Sequence, residues 1–227
     1  MNKKLIIVLA IALIAFGALP SADLVNVVER VQPSVVQIEV VGEYGQEWFG
    51  SGVIIEDNII VTAAHVAEDA PSIIIVTDTS ARYNTEVVYI SERYDVAILR
   101  VITSATLPFS RLGDSDDLRL GERVFTIGSP LLYFNSVTVG VVSGLGRDIE
   151  FFGENLLMQT DAAISPGSSG GPIFNMDGEV IGITIGGHGD TIGFCVTSND
   201  IQEILTEVFA KETLMERLMD ALMEMLE

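Results

Sequence analysis

The chain holds little of what most readily betrays a function. Cys195 is the only cysteine in 227 residues, so no intrachain disulfide can form and packing alone must hold the fold. It stands in the apolar stretch Gly193-Phe194-Cys195-Val196, where a thiol is expected to be structural and buried. There are two histidines, His65 and His188, and no carboxylate pattern beside them, so neither a metal nor a cofactor is expected. Basic residues are also scarce. Twelve Lys and Arg stand against 32 Asp and Glu, a net charge of −20 that excludes nucleic acid and anionic lipid as main partners. No sequence repeat relates the two halves. What is plentiful is apolar residues, 48% of the chain, which is ample for a packed core and argues against disorder.

The first residues carry an address. Asn2-Lys3-Lys4 precedes an unbroken apolar run from Leu5 to Leu19, short for a spanning helix and suited to the central region of a signal peptide. Pro20-Ser21-Ala22 follows. Residues 1–22 therefore read as a signal peptide cleaved after Ala22 or, because Pro20 fits a small-x-small site poorly, as an uncleaved anchor tethered through residues 5–19. Both readings predict an extracytoplasmic chain: periplasmic, at the cell surface or secreted.

Beyond Asp23 the texture is that of an all-β protein. Leu24, Val27, Val28 and Val31 have helical spacing and stop at Pro33. Short β-branched runs follow: Val35–Val41, Gly52–Ile55, Ile59–Thr62, Ile73–Val76, Thr85–Ile90 and Val96–Ile102. After the linker-like stretch Thr103–Arg111 come Arg123–Ile127, Val137–Ser143, Leu156–Thr160, Gly171–Phe174, Val180–Ile185 and Ile192–Val196. Asn175-Met176-Asp177-Gly178 predicts a tight hairpin. The runs divide evenly about the linker, which predicts two barrels of similar size over residues 23–110 and 111–197. From Asp200 onward there is neither Gly nor Pro. Residues 198–227 predict a helix capped by Asn199 or Asp200, with Glu203 completing a capping box for Asp200. Ile201, Leu205, Val208, Glu212, Met215, Met219, Leu222 and Leu226 form a heptad seam with one flaw at Glu212. Packing on the helix's own barrel and self-association are both open.

Three segments can do chemistry together. Serine nucleophiles need a base, a group that orients the base, and donors for the developing oxyanion. His65 ends the run Ile60-Val61-Thr62-Ala63-Ala64, so its ring should emerge at a strand end. His188 sits in the Gly-rich stretch Ile185-Gly186-Gly187-His188-Gly189-Asp190 and reads as a surface-loop residue. Ser169 lies in Pro166-Gly167-Ser168-Ser169-Gly170-Gly171-Pro172, where the backbone can turn enough to aim the N–H groups of Gly167 and Ser169 at one spot. Asp95 precedes the apolar run Val96-Ala97-Ile98-Leu99. A carboxylate sunk there needs a partner, and a histidine N–H would serve.

Thr62-Ala63-Ala64-His65, Asp95-Val96-Ala97-Ile98-Leu99 and Gly167-Ser168-Ser169-Gly170-Gly171-Pro172, in that order, resemble the chymotrypsin-fold serine proteases. Phe49-Gly50-Ser51-Gly52-Val53-Ile54-Ile55, Gly128-Ser129-Pro130 with Ser136–Ser143, Gln159–Ile164 and Gly193–Val196 narrow the likeness to the HtrA/Deg family. The resemblance spans roughly Asp23 to Asp200. It implies two six-stranded antiparallel β-barrels with His65, Asp95 and Ser169 between them, an oxyanion hole from Gly167 and Ser169, and acyl-enzyme hydrolysis of unfolded or exposed polypeptide, with quality control as the expected role. It implies an S1 pocket with Ala163 and Ile164 at its base and wall and Thr184 or Ile185 opposite, taking small to medium apolar side chains. A homotrimer is the family's common assembly.

Three departures accompany the likeness. About thirty residues follow the protease region, too few for the PDZ domain usual in the family, so none is expected here. Ser168 stands where Asn is usual. The loop Gly186–Thr191 looks short for loop-driven activation. Two other readings stay open: a catalytically silent scaffold on the same barrels, and a tail that acts as a coiled-coil assembly device.

Overall fold

Twelve β-branched runs become twelve strands in a computed structural model that describes residues 23–56, 58–91, 93–149, 156–189 and 191–226. The expected signal or anchor segment, residues 1–22, lies outside them. Strands β1 (Val35–Val41), β2 (Glu47–Glu56), β3 (Ile59–Ala63), β4 (Ser72–Val76), β5 (Arg82–Ser91) and β6 (Val96–Val101) close into a barrel in the order β1-β2-β3-β6-β5-β4. Strands β7 (Arg123–Gly128), β8 (Ser136–Asp148), β9 (Leu156–Thr160), β10 (Pro172–Phe174), β11 (Val180–His188) and β12 (Ile192–Thr197) close a second in the order β10-β11-β12-β9-β8-β7. All pairings within the barrels are antiparallel, and closure leaves no free sheet edge.

Several strands outrun their sequence signals. β8 continues past Gly144 to Asp148 because the register shifts at Val142/Gly144 and Gly144/Arg147 absorb the glycines as bulges. β11 likewise runs on through Gly186 and Gly187, paired with Phe194 and Gly193, after a shift beyond Thr184. The Gly-rich loop expected at Gly186–Thr191 is therefore largely strand, and His188 ends β11. Composition alone cannot tell a glycine that stops a strand from one that bulges it.

The larger of two apolar clusters spans both barrels, and a smaller one lies within the second. Val36, Ile38, Ile54, Ile60, Ile75, Ile98 and Leu99 from the first join Phe125, Ile127, Leu157, Phe174 and Ile183 from the second. Phe125 and Phe174 stack there at 5.1 Å between ring centroids. Burial on this scale is the main stabilising term in a chain whose single cysteine can form no disulfide.

Helices seal the ends. Helix α1 (Leu24–Val31) is capped by the Asp23 carboxylate, which accepts from Val25 N–H. It buries Val27 and Val31, and Arg30 donates to the Asp177 carbonyl in the β10–β11 hairpin. A single helical turn, α2 (Ala64–Ala67), follows β3. Helix α3 spans Ser198–Leu226. Its cap is Thr197, not Asn199 or Asp200: Asp200 N–H donates to the Thr197 hydroxyl, which donates back to the Asp200 carboxylate. Ile201, Ile204, Leu205 and Val208 are buried against the barrels. The seam's flaw has a partner, since Glu212 pairs with Arg100 of β6 at 2.9 Å and Arg100 also reaches Glu86 of β5. Leu214, Met215 and Met219 are exposed, and Leu222 and Leu226 lie outside the residues whose side chains are described. Among the described residues no helix is long and apolar enough to cross a membrane.

Candidate active site

β3 is buried along its whole length and ends at Ala63, where α2 begins, and His65 is the first exposed residue after it. His65 thus sits on a helical turn just past the strand end. Ala63 stands at the N-cap and has no side-chain acceptor for the free N–H groups of that turn. Asp95 supplies both acceptors from across the sheet. Ala63 pairs with Val96, which puts Asp95 beside Ala64. The Asp95 carbonyl accepts from Ala64 N–H at 3.0 Å, and its Oδ1 accepts from His65 N–H at 3.0 Å.

The same carboxylate holds the imidazole. Nδ1 of His65 lies 2.8 Å from Asp95 Oδ2 and 3.1 Å from Oδ1. An ionised carboxylate can only accept, so Nδ1 carries the proton and Nε2 of the neutral ring keeps its lone pair free as a base. Asp95 adopts a left-handed backbone, φ 50°, which Asp tolerates better than most residues. Its carboxylate is 19% exposed against 46% for the His65 side chain, so the orienting group is sunk and the ring it orients is open to solvent.

Ser169 is clamped by its backbone. Its carbonyl accepts from Ser51 N–H of β2 at 2.8 Å, and Gly170 N–H donates to the Thr184 carbonyl of β11 at 2.7 Å. Gly50 shows how close the parts come. A Cβ there would lie 2.6 Å from Val66 Cγ1, in the His65 turn, and 3.2 Å from the Ser169 carbonyl oxygen. Only glycine lets Ser169 and α2 flank the strand so tightly. Gly170 has φ +81°, and a side chain there would strike Thr62 Oγ1 and the Ser51 carbonyl. Among the described residues no hydrogen bond joins Ser169 Oγ to His65 Nε2, a contact that in unliganded hydrolases is often long and tightens only on substrate binding.

The Pro166–Gly167 turn has a defined orientation. The Pro166 carbonyl accepts from Leu131 N–H at 2.9 Å. No cis peptide bond is present among the described residues, and in a trans peptide C=O and N–H point opposite ways, so Gly167 N–H points away from Leu131. Among the described residues the N–H groups of Gly167 and Ser169 meet no protein acceptor. Ser168 closes the loop on itself, its N–H bound to the Ser165 carbonyl at 2.8 Å and its hydroxyl accepting from Ser165 N–H at 3.4 Å.

The residues expected around S1 are spread over different depths. Thr184 and Ile185 are buried, Ile164 is half-buried and Ala163 is exposed. Ile164 reaches across to β12, where its Cδ1 occupies the place a Cβ on Gly193 would take. The Ala163 carbonyl accepts from Thr138 Oγ1 at 2.9 Å, tying this segment to β8. His188 is exposed at the end of β11 and belongs to no cluster at the site. Among the described residues no group of His, Cys, Asp and Glu is arranged to hold a metal.

Two residues of consequence carried no chemical signal in the sequence. Ser51 is fully buried, and its hydroxyl donates to the Gly167 carbonyl at 2.7 Å while accepting from Ser129 N–H at 2.9 Å. Its carbonyl accepts from Thr62 Oγ1 at 2.7 Å. Ser51 therefore fastens the Gly167 loop of the second barrel to the first. Leu131 contributes only a backbone N–H, which no side-chain pattern announces.

Comparison with known proteins converges on the same architecture. Residues 50–183 match the family described as a trypsin-like peptidase domain. The chain is 38% identical over 192 residues to serine protease HTRA4 of Homo sapiens, covering 80% of this chain and 40% of that one. It is 45% identical over 135 residues to a probable periplasmic serine endoprotease DegP-like of Pseudomonas fulva (strain 12-X), covering 59% of this chain and 28% of that one. It superposes on the solved structure of the HtrA-type protease AlgW with tripeptide at a TM-score of 0.77 and 30% identity, over 82% of this chain and 63% of that chain. The chain thus spans well under half the length of these curated relatives.

Proposed function

The chain belongs to the trypsin-like peptidase family, within its HtrA branch, and from that premise we propose that it is a serine endopeptidase acting on unfolded or exposed polypeptide outside the cytoplasm. The observation that carries the proposal is the paired arrangement of His65 on Asp95, with the backbone of Ser169 held on the far side of Gly50. His65 Nε2 takes the proton of Ser169 Oγ as that oxygen attacks the scissile carbonyl. The N–H groups of Gly167 and Ser169 receive the oxyanion. His65 then gives the proton to the leaving amine, and water, deprotonated by the same nitrogen, releases the acyl group and restores Ser169. Asp95 keeps the proton on Nδ1 throughout and stabilises the imidazolium.

Ile164 lying over Gly193 supports a shallow apolar S1 site without a charged base, suited to Val, Ala or Leu as the residue whose carbonyl is attacked. The lysine pair and apolar run of residues 2–19 support export, with a tether through residues 5–19 when uncleaved. The relative named as periplasmic supports the same compartment, and quality control and a homotrimer come with the HtrA likeness alone.

The missing hydrogen bond between Ser169 and His65 favours a second reading, a silent barrel scaffold assembling through α3. A fluorophosphonate probe separates the two. Labelling of the native chain that disappears in Ser169→Ala and falls steeply in His65→Ala supports the protease; Ser169-independent labelling, or none, supports the scaffold. On a peptide substrate, loss of Ser169 or His65 should cost roughly 10⁶ in kcat.

A further inference from the structure

The Asp95 carboxylate depends on a turn that its surroundings must hold. Arg93, Tyr94 and Asp95 lead from β5 into β6, and Asp95 takes its left-handed φ of 50° one step before Val96 enters the strand. A backbone of that kind persists only where neighbouring contacts over-determine it. Asp95 supplies some of them itself, on Ala64 and His65, and these tie the turn to α2. Tyr94, the residue before it, ties the turn elsewhere.

Tyr94 is half-buried and packs on the larger apolar cluster, to which α3 contributes Ile201, Ile204, Leu205 and Val208. The Arg93 guanidinium lies over its ring, 4.9 Å from the centroid. Burial raises the Tyr94 hydroxyl above its ordinary pKa, Arg93 opposes this, and the charges of Asp200, Glu203 and Glu207 reinforce it. Those three acids, three and four residues apart, share one face of α3, and the tyrosine lies beside that face. Farther along, Glu212 pairs with Arg100 of β6 at 2.9 Å. There Val208 and Met215 stand across an open cavity of about 560 Å³ from Val88 and Tyr89 of β5. α3 thus runs beside β6 in the same direction, with its first turns at the Tyr94 end and Glu212 toward the other.

Resting on the serine-protease reading, we propose that Tyr94 is a positioning residue: packed beside α3, its ring fixes the left-handed turn that presents the Asp95 carboxylate to His65. α3, which follows the second barrel in the chain, then finishes a part of the site that the first barrel carries. The packed ring does this, not the hydroxyl. A turn released from α3 still lets Asp95 reach His65, but it no longer fixes the geometry of the bond. The imidazole then spends less time in the orientation and tautomer that proton transfer needs. Tyr94 touches no substrate in this scheme, so the loss falls on kcat and leaves KM nearly unmoved.

The test joins peptide kinetics on the full chain with NMR measurement of how fast the His65 Nδ1 proton exchanges with water. Tyr94→Ala should lower kcat about tenfold, move KM by less than about twofold, and speed that exchange about tenfold in folded protein. Tyr94→Phe should restore both. Ile204→Ala thins the packing of α3 without touching the turn. It should move kcat and exchange the same way by less, and it carries the test if Tyr94→Ala does not fold. Reduced stability with kcat and exchange unmoved, a change confined to KM, or no restoration by Tyr94→Phe overturns the proposal while Ser169-dependent fluorophosphonate labelling still upholds the protease. Absence of that labelling in the native chain overturns the protease reading, and this one with it.

Discussion

Asp95 grips His65 twice, by the ring at Nδ1 and by the backbone N–H, and one oxygen, Oδ1, takes part in both contacts. Orienting the imidazole, the proposed base, and capping its helical turn are therefore the same act. Asp95→Asn separates them. The amide oxygen can still accept the backbone N–H, but the NH₂ group facing Nδ1 favours the tautomer whose Nε2 carries the proton and cannot act as base. We expect kcat to fall by about 10⁴ with little change in KM, the size seen for the same change in a related triad. Asp95→Ala should lose the cap as well, lowering stability by about 1 kcal/mol more in denaturant titrations than Asp95→Asn does.

Ser51→Ala tests the seam between the barrels. It strands the Gly167 carbonyl and Ser129 N–H, both held by one buried hydroxyl. Stability should fall by about 1–3 kcal/mol. Because the loosened segment carries a candidate oxyanion donor, kcat should drop by roughly a hundredfold, out of proportion to the unfolded fraction at assay temperature. A variant with full kcat and reduced stability would show that Ser51 serves packing alone.

Ile164→Ala should deepen the site over Gly193. On peptides varied only at the residue bearing the scissile carbonyl, kcat/KM for Phe relative to Val should rise by about tenfold, within the range one pocket methylene or two can command. An unchanged ratio would place the S1 wall elsewhere.

Burial pushes the Cys195 thiol up to about 12, against a weaker opposing contact from Thr184. Across neutral pH the thiol is protonated and enclosed, so iodoacetamide at pH 8 should leave the native chain unmodified and label it once denatured. The folded state then binds a proton that the unfolded state releases near its ordinary value of 9. Stability is thus unaffected below that pH and falls as pH rises through the interval from 9 to 12, by about 1.4 kcal/mol per unit at most. Cys195→Ala should flatten this alkaline slope while lowering stability at neutral pH.

Legibility from sequence followed how local the determining physics is. Strands β1, β3 and β9 emerge almost where their β-branched runs stand, because each is bounded by residues that end strands outright. β8 and β11 do not, since Gly144 and Gly186 bulge rather than break, a distinction that resides in the partner strand. The cap of α3 is Thr197 because β12 runs one residue past the β-branched run Ile192–Val196, and composition does not tell which of Thr197, Asn199 and Asp200 ends the strand and caps the helix. His65, Asp95 and Ser169 stand out in the sequence as side chains with few other chemical uses in their contexts. Ser51 and Leu131 do not, for opposite reasons. Ser51 looks like any strand serine until the two partners of its hydroxyl are in space, and Leu131 holds Pro166 through its backbone N–H.

The division of labour between the barrels bears on how such a chain is made. His65 and Asp95 belong to the first six strands, whereas Ser169 follows β9 and is braced by Thr184 on β11. During synthesis the first barrel can close with His65 and Asp95 already paired, yet it does not contain Ser169. Ser169 is fully braced only after β11 has emerged and docked. On the proposed reading, a peptidase built this way stays harmless to itself and its neighbours for as long as it is incomplete, with chain order acting as a safety catch.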